Sequence, residues 1–166
     1  MKKSLGTIVS IMAVVILAGT FIMVKSSIAD EKARDGRFIA YDDGTVLDKK
    51  TKLMWADKDN GSNINWQDAK TYCENYRGGD YTNWRMPTLD ELERLYDEGK
   101  HRPAACYGRN NIHIATELID ITCFSLWASE TSQDEAAIFD FGPGLRSAFA
   151  GSVTRYCRAL PVRSVR

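Results

Sequence analysis

The first 29 residues decide in which compartment this chain folds, and the compartment decides what its cysteines can do. Residues 5–24 contain no charged side chain and follow two lysines, while Ser27 and Ala29 supply the small residues of a cleavage site. We therefore predict a signal peptide over residues 1–29, cut after Ala29. An uncleaved anchor is the alternative, because twenty uncharged residues can cross a bilayer. The protein is expected to be periplasmic or secreted to the cell surface, or else anchored in the inner membrane with a periplasmic domain.

All four cysteines lie after this segment, at Cys73, Cys106, Cys123 and Cys157. An even number of cysteines outside the cytosol favours two disulfides. No CxxC or CxxH spacing is present, so we expect no metal and no cofactor.

The charge balance argues against a nucleic-acid-binding protein. The chain has 22 basic and 22 acidic residues, and removal of the first 29 residues takes away three lysines and no acid. The remaining 137 residues therefore carry a formal charge of −3, whereas nucleic-acid-binding domains usually have a basic excess. That length fits one domain of ordinary size.

The pattern along the chain predicts strands, then two helices, then strands, which is an α+β fold. We interpret the charged residues 30–36 as a linker. Strands are predicted at residues 37–41, 46–47, 53–56, 124–129, 136–141, 145–149 and 154–160. The Asp43–Gly44 pair and the Gly142–Pro143–Gly144 run are typical of hairpin turns.

Two helices are indicated by capping residues and apolar spacing. Asn65 is a good N-cap for a helix whose buried stripe is Trp66, Ala69, Cys73 and Tyr76, and which ends at Gly78–Gly79. Thr88 and Glu91 form a capping box for a second helix that Gly99 terminates. Its apolar face comprises Leu89, Leu92, Leu95 and Tyr96.

Six segments, in this order, resemble the DUF1566 family, which is named for the C-terminal domain of the Legionella collagen-like adhesin. They are DGTVLDKKTKLMWA (43–56), INWQDAKTYC (64–73), NWRMPTLDELERL (83–95), FSLWASE (124–130), AIFDFGPG (137–144) and RYCRAL (155–160). The resemblance makes residues 37–166 one domain, similar to C-type lectin-like domains: two helices on an antiparallel sheet with a long loop region. It also implies disulfides between Cys73 and Cys157 and between Cys106 and Cys123.

No enzyme signature stands out. His101 and His113 lack a nucleophile motif, and the loop that starts at Asp57 lacks the Gly and Glu positions of an EF-hand. The lectin-like scaffold suggests one enzymatic alternative, a formylglycine-generating oxidase that would use Cys73 and Cys157. A structural subunit of a surface assembly is a further alternative.

The candidate binding residues are Arg146, Arg155, Arg158 and Trp127. From residue 145 onward the chain has five arginines and no acid, which could form a basic face for sulfated or acidic glycans, or for an envelope protein. The competing interpretation pairs these arginines with local acids and buries Trp127 in the core. We expect an exported, noncatalytic recognition or adhesion module that presents the region 99–150 to its partner, with no nucleic acid involved and membrane contact only through residues 5–24 if they are not removed.

Overall fold

The computed structural model of the protein describes residues 29–106 and 111–165. The predicted signal peptide, and its alternative as a membrane anchor, fall almost entirely outside these residues. In the part of the chain that the structure describes, no helix combines the length and apolar character needed to cross a membrane.

The described residues form an α+β fold, as the sequence predicted, and most of their strands belong to two main sheets. Eleven strands are present: β1 (Glu31–Asp35), β2 (Phe38–Tyr41), β3 (Thr45–Asp48), β4 (Leu53–Ala56), β5 (Arg102–Pro103), β6 (Asn111–Ile112), β7 (Ser125–Ser132), β8 (Glu135–Asp140), β9 (Leu145–Ala150), β10 (Cys157–Arg158) and β11 (Val162–Ser164). The first sheet has the order β1-β2-β3-β4-β11 and is antiparallel. The second has the order β10-β7-β8-β9, with β10 parallel to β7, and β5 and β6 form a separate pair.

The predicted linker at residues 30–36 is wrong, because most of it is strand β1. This strand pairs with β2 at the edge of the first sheet, and four of its five residues are charged. Edge strands of natural sheets often carry charges, which prevent a further strand from pairing. A charged stretch at a sheet edge therefore has the composition of a linker and the conformation of a strand.

Both helices begin where the sequence predicted. Helix α1 (Trp66–Asn75) starts at Asn65, whose side chain accepts the amide of Asp68 at 2.9 Å. Helix α2 (Leu89–Glu93) starts with the predicted capping box of Thr88 and Glu91. It ends much earlier than Gly99.

The apolar face of α2 nevertheless continues beyond the helix. The amides of Leu95 and Tyr96 donate to carbonyls three residues back rather than four, at 2.9 and 3.1 Å. This tighter turn leaves Leu95 fully buried without α-helical geometry. The sequence spacing therefore predicted the burial correctly and the helix length incorrectly.

The predicted strand at 154–160 is reduced to β10. Tyr156 has a φ of +64°, a left-handed conformation that interrupts an extended chain. The other predicted strands of the second sheet correspond to β7, β8 and β9, and Asp140 and Gly144 close the hairpin between β8 and β9 through a 2.9 Å backbone bond.

Two clusters of buried side chains hold the sheets and helices together. The larger lies around Trp55, Leu92 and Phe139, and it includes four isoleucines from the loop region, Ile112, Ile114, Ile119 and Ile121. The smaller joins α1 to the second sheet through Ala69, Cys73, Trp127, Ile138 and Cys157. The loop region is thus packed into the core although it contains little regular secondary structure.

One predicted disulfide is present and the other is not. Cys106 is bonded to Cys123, with 5.2 Å between the two Cα atoms. Cys73 and Cys157 are buried free thiols, so the predicted bond between helix and strand is wrong. Apolar packing in the smaller cluster, rather than a covalent bond, joins α1 to β10.

Candidate functional site

A cleft of about 590 Å³ opens in the loop region, beside the end of β1. Its lining combines charged and apolar side chains; the lining residues are Asp35, Gly99, Lys100, His101, Arg102, Ile114, Glu117 and Leu118. Most of these residues belong to the region 99–150 that the sequence analysis assigned to partner binding. The Cys106–Cys123 disulfide lies in the same region.

The cations of this cleft are held by intramolecular partners. Lys100 donates to the carboxylate of Asp35 at 3.2 Å and to the carbonyl of Ala115 at 2.8 Å. Arg102 forms an ion pair with Asp120 at 2.9 Å and also donates to the carbonyl of Ile121 at 3.1 Å. The cleft therefore has fixed walls in which each positive charge lies beside a negative one.

The two histidines lie next to each other, and His101 lines the cleft. The ring centroids of His101 and His113 are 5.8 Å apart, and His113 also contacts the ring of Tyr96. The Nδ1 atom of His113 is 3.2 Å from the carbonyl oxygen of Glu98. These contacts give His113 a structural role, in keeping with its lack of a nucleophile motif.

Arg146 has local acidic partners, as the competing interpretation proposed. It lies on β9 and forms ion pairs with Asp90 at 2.6 Å and with Glu93. The hydrogen bonds that Arg146 donates to the carboxylates of Glu93 and Asp90 raise the pKa of its guanidinium. Because Arg146 is already paired, its charge is largely compensated within the chain.

Arg158 is buried rather than presented to a partner. Its Nε atom donates to the hydroxyl of Thr122 at 3.0 Å, and its Nη1 atom donates to Asn63. The same hydroxyl donates to the buried carboxylate of Asp59 at 3.0 Å. Burial raises the pKa of Asp59, while hydrogen bonds from Thr122 and Gly61 oppose that rise.

Arg155 and Trp127 have separate environments. Arg155 is exposed and packs over the ring of Tyr156, with 4.7 Å between the guanidinium carbon and the ring centroid. Trp127 is fully buried, and its indole N–H donates to the carbonyl of Ile64 at 2.8 Å. Trp127 is therefore a core residue whose ring has no face open to a sugar.

A cationic surface that the sequence analysis missed lies in the turn between β3 and β4. We call it the lysine turn; it consists of Lys49, Lys50 and Lys52, all exposed. Among the described residues none of these lysines takes part in an ion pair. The signal in the sequence was three lysines within four residues and no acid among them.

The buried carboxylate of Asp48 fixes the backbone of the lysine turn. Asp48, with a side chain only 1% exposed, accepts the amide of Lys50 at 2.9 Å and forms an ion pair with Arg37 at 3.1 Å. The amide of Lys52 bonds to the Asp48 carbonyl at 2.9 Å. The lysines are thus carried on a backbone that is fixed by hydrogen bonds.

The lysine turn and the cleft lie at the same end of the first sheet. Asp35, which binds Lys100 in the cleft, pairs with Phe38, and Phe38 pairs with Asp48 in the next strand. The carbonyl of Arg37 accepts the amide of Lys49 at 3.1 Å. The cleft and the three lysines therefore lie at the same end of the first sheet, which we call the basic end.

The cysteine pair proposed for oxidase chemistry has the properties of core residues. Cys73 and Cys157 are both 0% exposed, and burial raises the pKa of each thiol to about 12. A reactive cysteine needs a lowered pKa and access to solvent. Over the described residues, no group of three or more potential metal-ligating side chains is present either.

The comparisons with known proteins agree with the family resemblance. A family model described as "Lcl C-terminal domain" matches residues 44–165. No curated protein matches the chain.

Proposed function

Because the chain belongs to the Lcl C-terminal domain family, we propose that it is an exported, noncatalytic adhesion module that binds acidic glycans at its basic end. The family consists of adhesin-type, nonenzymatic domains, which supports the choice of a surface module. The similarity to C-type lectin-like domains that the sequence implies favours the loop region as the recognition surface.

The observation that carries this proposal is the absence of ion-pair partners at the lysine turn. Arg146, Lys100 and Arg102 form ion pairs within the chain, whereas Lys49, Lys50 and Lys52 form none among the described residues. Lys49 acts only at longer range on Glu31, whose pKa it helps to lower. Sulfate and carboxylate groups bind such ammonium groups through charge-assisted hydrogen bonds. The neighbouring cleft of about 590 Å³ can accept part of a sugar chain beside these contacts.

Binding to a sulfated polysaccharide tests the proposal directly. The full chain, purified in detergent, is passed over immobilised heparin and over an uncharged polysaccharide. We expect retention on heparin alone, with elution at a salt concentration that falls sharply when Lys49→Ala, Lys50→Ala and Lys52→Asn are combined. Asn is chosen at position 52 because Lys52 has a φ of +59°, which Asn tolerates.

A matched variant separates the lysine turn from net charge. Lys32→Ala, Lys58→Ala and Lys70→Ala remove the same charge from other positions. This control should keep heparin retention. If both triple variants lost heparin retention equally, binding would depend only on overall charge and not on the lysine turn. A wild-type protein that is not retained on heparin would refute the proposal.

The buried thiols count against the alternative oxidase function. At neutral pH a thiol with a pKa of about 12 carries almost no thiolate, and neither sulfur is accessible to a substrate. The export that the proposal requires is tested by cell fractionation and by N-terminal sequencing of the native protein. A first residue of Asp30 would demonstrate cleavage, an intact N-terminus in the membrane fraction would demonstrate anchoring, and cytosolic recovery would contradict export.

A further inference from the structure

The two main sheets have four edge strands, and three of them are protected. Strand β1 is charged and has an irregular register between Glu31 and Ala33. Strand β11 is bonded on its outer side, where Val162 and Arg85 exchange backbone hydrogen bonds of 2.9 and 3.0 Å. Strand β10 is covered by a loop whose Ile64 amide donates to the Cys157 carbonyl at 3.3 Å. These are the usual ways in which proteins prevent pairing at a sheet edge.

Strand β9 is covered only at its last residue, where the carbonyl of Ala150 accepts the amide of Val153 at 2.9 Å; from Leu145 to Phe149 it has none of these protections. All six of its residues are exposed, and its register with β8 is regular from end to end. It contains no proline, lysine or acid. Leu145 and Phe149 are 59% and 37% exposed, and they are two of the three exposed large hydrophobic residues in the described chain. An edge with a regular register, exposed apolar side chains and no cover along most of its length is a template for another strand.

We propose that β9 pairs with β9 of a second copy of this chain in a two-fold antiparallel dimer. A two-fold axis perpendicular to the sheet keeps each side chain on its own face, so residues that face each other must come from the same face of β9. Leu145, Ser147 and Phe149 share one face, and Arg146, Ala148 and Ala150 share the other.

One position of the axis satisfies both faces. With the axis at Ser147, Leu145 lies opposite Phe149 of the second copy, twice, and Arg146 lies opposite Ala148 of the second copy. An axis at Arg146 would place two guanidinium groups directly opposite each other, which is unfavourable. An axis at Ala148 would place Leu145 opposite Gly151 and lose the apolar pair.

The charges also favour a second copy over an acidic peptide. Arg146 is the one charged residue of β9, and Asp90 and Glu93 of its own chain already compensate it. An acidic strand would therefore find no unpaired cation on this edge and would meet two carboxylates beside it. A second β9 brings no acid, and its arginine arrives with its own partners.

Site-specific cross-linking tests the dimer and its register. Directly opposed residues of antiparallel strands have Cα atoms about 4.5–5.5 Å apart, which is within the range of a disulfide. Ser147→Cys places two thiols opposite each other at the proposed axis. Ala148→Cys is the matched control: it is equally an exposed residue of β9, but its own copy lies diagonally at about 7–8 Å.

The full chain, purified in detergent, is oxidised mildly and separated on a nonreducing gel. We expect Ser147→Cys to form at least ten times more covalent dimer than Ala148→Cys. Sedimentation should give twice the chain mass for the wild type and a monomer for Leu145→Lys combined with Phe149→Lys. A monomeric wild type, equal cross-linking of the two cysteine variants, or an unchanged dimer in the double-lysine variant would each overturn the proposal.

Discussion

The two pairs of cysteines show two different ways of holding distant parts of a small domain together. Cys106 and Cys123 are 17 residues apart and form a disulfide in the loop region. Cys73 and Cys157 are much farther apart in sequence, yet they remain thiols inside an apolar cluster. Where a helix and a sheet already bury each other's side chains, packing joins them, whereas the irregular loop has a covalent bond in addition to its isoleucines.

The largest expected difference between the two pairs is chemical reactivity. A pKa of about 12, against an ordinary value of 9.0, lowers the thiolate fraction of Cys73 and Cys157 by about a thousandfold at pH 8. Reaction of the native full chain with a disulfide reagent should therefore be at least that much slower than reaction of a peptide thiol. Denaturant should then release two titratable thiols per chain; none at all would mean that this pair is bonded too.

Removal of the disulfide should produce the largest loss of stability. Closing a loop of this size contributes about 3 kcal/mol, because it restricts the unfolded chain. Cys106→Ala combined with Cys123→Ala should lower the free energy of unfolding, measured in urea, by up to that amount. A loss below about 1 kcal/mol would show that the buried isoleucines alone hold the loop region.

A polar atom introduced into the smaller cluster should lower the free energy of unfolding somewhat less than removal of the disulfide does. Cys157→Ser places a hydroxyl in an apolar environment and should lower the unfolding free energy by about 2 kcal/mol. Cys157→Ala removes the sulfur without adding a polar group and serves as the matched control. If Ser were tolerated better than Ala, the conclusion that apolar packing holds this pair in place would be wrong.

The smallest expected effect is a pH dependence of stability. It comes from Asp59, Thr122 and Arg158, whose hydrogen-bond network lies between the two cysteine pairs. Asp59 bonds to Thr122, beside Cys123, and Thr122 bonds to Arg158, beside Cys157. Because the pKa of Asp59 is raised in the folded protein, its contribution to stability is fully present below its unfolded pKa of about 3.8 and is lost as the pH rises through the folded value. Relative to Asp59→Asn, the wild type should therefore become less stable between pH 4 and pH 7.

Glu91 supplies a control of opposite sign for that measurement. Burial alone would raise its pKa, but hydrogen bonds from Arg85 and Thr88 outweigh burial and lower it. Its contribution is present above its unfolded pKa and is lost as the pH falls through the folded value. Relative to Glu91→Gln, the wild type should therefore become more stable to urea as the pH rises from the acid side. If stability changed in the same direction with pH in both comparisons, the assigned directions of the two pKa shifts would be wrong.

Local signals predicted the elements that local interactions determine. The capping box of Thr88 and Glu91 and the cap at Asn65 depend on residues three positions apart, and both are present. The length of α2 and the strand at 154–160 were wrong because each depends on backbone geometry that sequence spacing does not encode. Tyr156 adopts a positive φ, which the sequence does not predict because the position is neither glycine nor asparagine.

The candidate site was harder to predict than the fold. The sequence identified an arginine excess, but it could not show that Arg158 is buried against Asn63 or that Arg146 meets Asp90 from a distant helix. Ion pairs between residues far apart in sequence determine which cations remain unpaired. That is why Lys49, Lys50 and Lys52, rather than Arg146 and Arg158, form a cluster of exposed cations without ion pairs among the described residues.

The register of β1 and β2 has a mechanical consequence for an adhesion module. The chain enters the sheet at Asp30, beside Asp42, whereas the lysine turn lies at the opposite end of the same strands. If the proposed glycan is bound at the lysine turn while the chain is held through the residues before Asp30, the tension acts along the axis of β1. Under this shearing load the hydrogen bonds between β1 and β2 stretch together instead of opening one after another. The pair of strands therefore resists separation more strongly than it would if the force opened it from one end.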